Sequence, residues 1–222
     1  MNTVLIRPFA ALKLSTFLVL ALMGACHFPG LRGNGEVITD SRTIGDFQTL
    51  VISGMYSVDW TAGPAAVTVR TDRNLLPHIT TTLSGTRLVI KSDTQLRPTN
   101  GIKVHLSSPN FTGAELNGAV RLSARGLRGP SFVLQANGAS HLDLNGGTDE
   151  LSADLNGASR LDAYGLKTLR CELSISGAGK AEVTAADSLR VAISGAGKVT
   201  YAGKPKTLSQ SISGAGSVRQ RD

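Results

Sequence analysis

The stretch LSADLNGASRLDAYGLKTLRCELSISGAGKAEV, residues 151–183, carries one short phrase twice, as Asn156-Gly157-Ala158 and Ser176-Gly177-Ala178. Further copies begin at Asn117, Asn137, Ser194 and Ser213, so successive copies lie 20, 19, 20, 18 and 19 residues apart. A period of about 20 residues is the signature of a solenoid, in which each unit is one coil stacked on the last.

Hydrophobic periodicity decides between helix and strand. Before each phrase, apolar residues alternate with polar ones: Leu151, Ala153 and Leu155; Leu169, Cys171, Leu173 and Ile175; Val191 and Ile193. After it the alternation resumes at Leu161 and Ala163, and again at Ala181, Val183 and Ala185. Period two puts alternate side chains inside, which is a half-buried strand. Each coil is therefore expected to run strand, Gly-Ala corner, strand, second corner and a short third strand. Gly126, Gly146, Gly165, Ala185 and Gly203 follow the Asn/Ser by nine residues and mark the second corner. The predicted fold is all-β, a single-stranded parallel β-helix, right-handed by the general chirality of parallel β connections.

Stacking in register turns each repeat position into a ladder, with neighbours roughly 4.8 Å apart. The corner ladder is Asn117, Asn137, Asn156, Ser176, Ser194 and Ser213, whose asparagines are placed to bond amide to amide. Four residues on, an outward column reads Arg121, His141, Arg160, Lys180 and Lys198, then Ser217. Two further on the same face reads Ser123, Asp143, Asp162, Glu182, Thr200 and Arg219. The basic column is a candidate stripe for an anionic polymer. The alternative is that the adjacent acids neutralise it, each exposed pair contributing roughly 0–1 kcal/mol.

The N-terminus reads as an export signal. Arg7 and Lys13 precede an apolar run from Leu14 to Ala25, and small residues stand immediately before Cys26. Residues 1–25 are thus assigned as a signal peptide. Small residues before a cysteine resemble a bacterial lipobox, which implies lipid on Cys26 and a membrane anchor; the alternative is a plain cleaved signal. His27 rather than Asp after the cysteine implies, by the same resemblance, the outer membrane of a Gram-negative cell. Residues 26–35 are read as a flexible tether and 36–222 as one β-solenoid domain, regular from 113 onward.

Composition fits an exported, extended β protein. The chain has 23 basic and 16 acidic residues; losing Arg7 and Lys13 with the leader leaves 21 against 16, a net of +5. That surplus is spread along the chain, so nucleic acid is not the expected partner. With Cys26 lipidated, Cys171 stands alone on an inward position, and no disulfide framework exists.

Residues 36–112 are less regular. Strands are expected at Phe47–Ile52, Tyr56–Trp60, Val67–Arg70, Arg87–Lys91 and Ile102–Leu106, with coil corners at Ile52-Ser53-Gly54 and Leu83-Ser84-Gly85. Longer coils or a β cap would close the solenoid's open end.

Several features taken in order resemble the head GIN domain, a bacterial family of auto-transporter adhesins. They are Asp46-Phe47, Leu50 and Ile52-Ser53-Gly54; Asp72-Arg73-Asn74-Leu75-Leu76-Pro77; Gly85-Thr86, Leu88 and Ile90; Ile102-Lys103-Val104; and the repeated Ser-Gly-Ala-Gly corners. The resemblance spans residues 36–220 and implies a secreted or envelope-anchored β-helical domain with no catalytic residues to carry over. The chain departs from the family pattern in using Asn-Gly-Ala at three corners.

Chemistry is sparse. His27, His78, His105 and His141 have no metal-ligand spacing, and no nucleophile elbow, phosphate loop or dinucleotide fingerprint occurs. No cofactor is expected. Asp143 and Asp162, with His141, Arg160 and Lys180 beside them, form the one constellation with catalytic potential, since glycosidic chemistry needs paired carboxylates. Glu182 continues their column, so repetition accounts for them better. The expected function is a non-catalytic, envelope-anchored adhesin-like or scaffold protein whose partner is an envelope glycan or protein. The alternatives are a polysaccharide-active enzyme and a periplasmic sensor or stress-response partner.

Overall fold

A computed structural model describes residues 30–221. The expected leader and Cys26 lie outside the described residues.

The corner glycines set the coil. Gly157 has φ +101°, a left-handed conformation that disfavours any side chain, and a Cβ there would stand 2.5 Å from the carbonyl oxygen of Gly138 one coil below. The same arrangement recurs at each Asn/Ser-Gly-Ala corner. The following alanine N–H donates to that same glycine carbonyl, as Ala158 does to Gly138 at 2.9 Å. Backbones thus stack so closely at this edge that only glycine fits.

Chain order gives β1 (Leu31–Arg32), β2 (Val37–Arg42), β3 (Thr49–Gly54), β4 (Ser57–Ala62), β5 (Ala66–Asp72) and β6 (Ile79–Ser84). Then come β7 (Arg87–Ser92), β8 (Leu96–Arg97), β9 (Lys103–Ser108), β10 (Gly113–Gly118), β11 (Arg121–Leu127) and β12 (Ser131–Gly138). Long strands that turn corners follow: β13 (His141–Gly157), β14 (Arg160–Gly177) and β15 (Lys180–Gly195). β16 (Lys198–Ala202), β17 (Thr207–Ser213) and β18 (Ser217–Gln220) finish the chain. On the side before the corner the sheet runs β6-β7-β3-β10-β12, then the C-terminal parts of β13, β14 and β15, then β17. On the side after it the sheet runs β2-β5-β9-β4-β11, then the N-terminal parts of β13, β14 and β15, then β16 and β18. The expected β-solenoid, with parallel in-register coils, is the fold.

Inward residues form one continuous core. Leu142, Leu161, Ala181 and Val199 are level with one another and wholly buried. Phe111 stacks on Trp60 at 4.9 Å and meets Phe47 and Phe132 edge-on, filling the wider coils where the irregular half joins the regular one. Cys171 is buried, and desolvation, with a contribution from the charge on Glu172, pushes its thiol up to about 12, so it is a packing residue.

Leu169 departs from expectation. It is exposed, because the chain turns between Thr168 and Cys171, where the β14–β15 register shifts. The column expected at the second corner also does not stack. Gly146 stands level with Leu127 and Leu166, and Ala185 with Thr168. Differences in coil length are absorbed on this side, so equal spacing in sequence does not give equal height in space.

Spatial order departs from chain order in the N-terminal half. β7 and β9 form a coil lying outside β3 and β4, although β3 and β4 come first in sequence; β10 and β11 then stack on the other side. Leu83-Ser84-Gly85 is consequently not a coil corner. It begins the turn of the antiparallel hairpin β6–β7, and Lys91 is the residue level with Ser53. Antiparallel β5 and β2 close the other sheet. Residues 30–35 are docked, not a free tether: β1 pairs with β8, and the Gly35 N–H donates to the Asp72 carboxylate at 2.8 Å. Asp72 is fully buried. Burial pushes its carboxyl up, but hydrogen bonds from the Thr99 N–H, the Thr99 hydroxyl and the Gly35 N–H outweigh this and hold it below the usual aspartate range.

Candidate functional site

The corner ladder forms as the repeat requires. Asn137 donates through Nδ2 to Asn117 Oδ1 at 2.9 Å, and Asn156 to Asn137 at 3.0 Å. Ser176, Ser194 and Ser213 continue the column in register. A second, inner ladder lies behind it. Ser140 and Ser159 donate to the carbonyls of Gly118 and Gly138, each at 3.3 Å. Their equivalents in later coils are Gly179, Gly197 and Gly216, where a Cβ would meet isoleucine Cγ2 methyls at 2.9, 2.9 and 2.7 Å. The branched side chains of Ile175, Ile193 and Ile212 occupy the room that serine fills earlier. This accounts for the chain's change from Asn-Gly-Ala-Ser to Ser-Gly-Ala-Gly: two ways of filling one corner, one polar and one apolar.

The basic column also forms, and it is longer than the repeat reveals. Arg121, His141, Arg160, Lys180 and Lys198 are level in that order. Beyond Arg121 the ladder continues through Ser57 to Lys103 and Arg70. The ladder spans eight strands, so seven steps of 4.8 Å put its ends roughly 34 Å apart. Lys103 and Arg70 had no signal in the periodicity, since one lies on the coil stacked out of order and the other on an antiparallel strand.

The acidic column, Asp143, Asp162 and Glu182, runs beside it in register. Neutralisation is concentrated at Arg160 and Lys180. Lys180 lies 2.8 Å from Glu182, Arg160 3.6 Å and Arg221 3.5 Å. The hydrogen bond from Lys180, with the charges of Lys180, Arg160 and Arg221, holds the Glu182 carboxyl below the usual glutamate range despite partial desolvation. Asp162 Oδ1 accepts from the Tyr164 N–H at 3.3 Å. Among the described residues, Arg70, Lys103, Arg121, His141 and Lys198 form no ion pair with any acid. Lys103, Arg121 and His141 rim a depression of about 300 Å³, floored by Tyr56, Ile102 and Val120. The ladder is therefore uneven: Lys103 and Arg121 stand unpaired beside a hollow toward one end, whereas Arg160 and Lys180 are neutralised by Glu182 before the unpaired Lys198 that ends it.

Comparison with known proteins agrees with this architecture. The sequence profile of the family described as "Putative auto-transporter adhesin, head GIN domain" matches residues 46–205. No curated protein sequence matches the chain. A protein from Bacteroides fragilis described as a "putative adhesin" superposes with a TM-score of 0.71 at 18% identity, covering 86% of this chain and 100% of its own. A protein from Parabacteroides distasonis described as a "putative lipid binding protein" gives 0.60 at 19% identity, covering 87% of this chain and 100% of its own. At these identities the likeness is one of fold. With the family profile spanning most of the solenoid, the chain belongs to the head GIN domain family.

Proposed function

We propose that the chain is a non-catalytic, adhesin-like domain anchored to the bacterial envelope by lipid on Cys26, and that it holds an acidic glycan along its basic ladder. The observation that carries this reading is the uneven ladder, whose unpaired Lys103 and Arg121 stand beside a hollow. A polyanion laid across the coils meets aligned cations at a regular step, and such charges act jointly at low ionic strength. His27 after the anchoring cysteine favours the outer membrane of a Gram-negative cell.

The polysaccharide-cleaving alternative finds less support. Asp143 and Asp162 stand level on adjacent strands, as a pair of carboxylates for glycosidic chemistry would require. They sit, however, in unbroken strands from His141 to Gly157 and from Arg160 to Gly177, with no inserted loop to wall a cleft. Glu182, held ionised by its cations, is a poor general acid. Incubation with a polyuronate is therefore expected to give binding without new reducing ends, and Asp162→Asn should leave binding unchanged. Cleavage that disappears in Asp162→Asn would establish the enzyme reading instead.

Anchoring has its own test. The mature chain should begin at Cys26 and fractionate with membranes, and Cys26→Ser should either release it or leave the leader uncut. Unchanged membrane association in that variant, with the leader removed at another site, would exclude lipid anchoring.

A further inference from the structure

We infer that the last coil is a self-docking surface, on which β17 of one copy pairs antiparallel with β17 of a second copy about Gln210. β17 is hydrogen-bonded to β15 on one edge alone, and β18 likewise to β16. Leu208 and Ile212 continue the core columns of Leu189 and Ile193, yet each is 41% exposed, whereas the residues beneath are 1% and 2% exposed. Among the described residues nothing covers this section through the core.

The opposite end is closed differently. On its outermost strands Arg42 reaches from β2 to the Ile79 carbonyl at 2.7 Å and the Thr81 hydroxyl of β6, and Asp40 stands beside it. A charged clamp of this kind blocks strand addition. Head-to-tail stacking of copies is therefore disfavoured, which leaves a closed two-fold arrangement in which the same end meets itself.

The sequence of β17 is built for that symmetry. Thr207-Leu208-Ser209-Gln210-Ser211-Ile212-Ser213 has neither charge nor proline and is a palindrome in polarity about Gln210. Antiparallel pairing on that centre sets Leu208 opposite the second copy's Ile212, Ser209 opposite Ser211 and Thr207 opposite Ser213. Directly opposite residues share a face, so apolar side chains meet inside and hydroxyls outside. Gln210 occupies the core column of Val191, an odd place for an amide in a single copy. Across the two-fold axis it faces its own equivalent, and two amides can satisfy each other. A buried amide pair fixes register, because a slip of one residue would leave it unpartnered.

The test is the oligomeric mass of the full chain, kept in a density-matched detergent, by sedimentation equilibrium over roughly 1–100 µM, the range suited to a small interface. A monomer–dimer equilibrium with no larger species is expected. Gln210→Lys should be monomeric throughout, with thermal unfolding equal to that of dilute, monomeric wild type because the side chain is exposed in a single copy. Mixing Gln210→Lys with Gln210→Glu should restore the dimer, since opposite charges then meet on the axis. A monomeric wild-type chain, open-ended assemblies, a dimer that survives Gln210→Lys, or a mixture that stays monomeric would each overturn the proposal.

Discussion

Gly157→Ala is expected to lower the melting temperature by roughly 10 °C, with Gly147→Ala close to neutral. The two glycines lie ten residues apart in one long strand and differ in what surrounds them. At Gly157 the backbone is at φ +101°, and the added methyl would sit 2.5 Å from the Gly138 carbonyl oxygen. Conformational strain of roughly 1–3 kcal/mol adds to the displacement of a stacked coil. A total of about 3–5 kcal/mol corresponds to that shift for a domain of this size. At Gly147 the nearest atom to the added methyl is 3.8 Å away and φ is not in the left-handed region. Equal effects at both sites, measured by thermal unfolding, would show that close coil stacking does not depend on the corner glycines.

Leu161→Asp should be equally damaging by another route. Leu161 is wholly buried between Leu142 and Ala181, so the variant would place an unpaired carboxylate in a thin core and cost several kcal/mol, about 4. Its neighbour Arg160 faces water and lies 3.6 Å from Glu182, so Arg160→Ser should cost no more than roughly 0.5 kcal/mol. Denaturant melts of the two variants give the comparison. Similar losses would contradict the assignment of inside and outside faces.

Legibility in the sequence followed the repeat. Where coils recur every 18 to 20 residues, alternation placed Leu161, Ala181 and Val191 inside and the basic column outside, as the structure has them. Two things broke that logic. The second corner absorbs variation in coil length, so Leu169 turned outward and the glycine column did not stack. The N-terminal half stacks out of chain order, so Ser84-Gly85, a good corner phrase by composition, serves a hairpin instead. Long-range parallel pairing leaves no local trace, whereas a hairpin and a coil corner both call for small residues and glycine.

The candidate site was legible to the same extent. Its five regular basic residues were readable from the period, but Lys103 and Arg70, beyond Arg121, were not. Neutralisation of Arg160 and Lys180 by Glu182 follows the expected pairing of neighbouring columns. At Arg121 and His141 no such pair forms among the described residues. The side chain two positions beyond Arg121 is Ser123, where the next three coils carry Asp143, Asp162 and Glu182. With Arg121 and Lys103 unpaired, the centre of the proposed ligand-facing surface lies toward the irregular coils.

Polyuronate affinity at two salt concentrations tests most directly whether the basic ladder binds an acidic polymer. Wild-type chain and the double variant Lys103→Glu/Arg121→Glu would be titrated at low and at physiological ionic strength. Wild type should bind at low salt and weaken as salt rises, with the double variant about tenfold or more weaker at low salt. Arg160→Ser should lose little, since Glu182 already holds that charge. No binding by wild type at low salt, or equal binding by the double variant, would contradict the account.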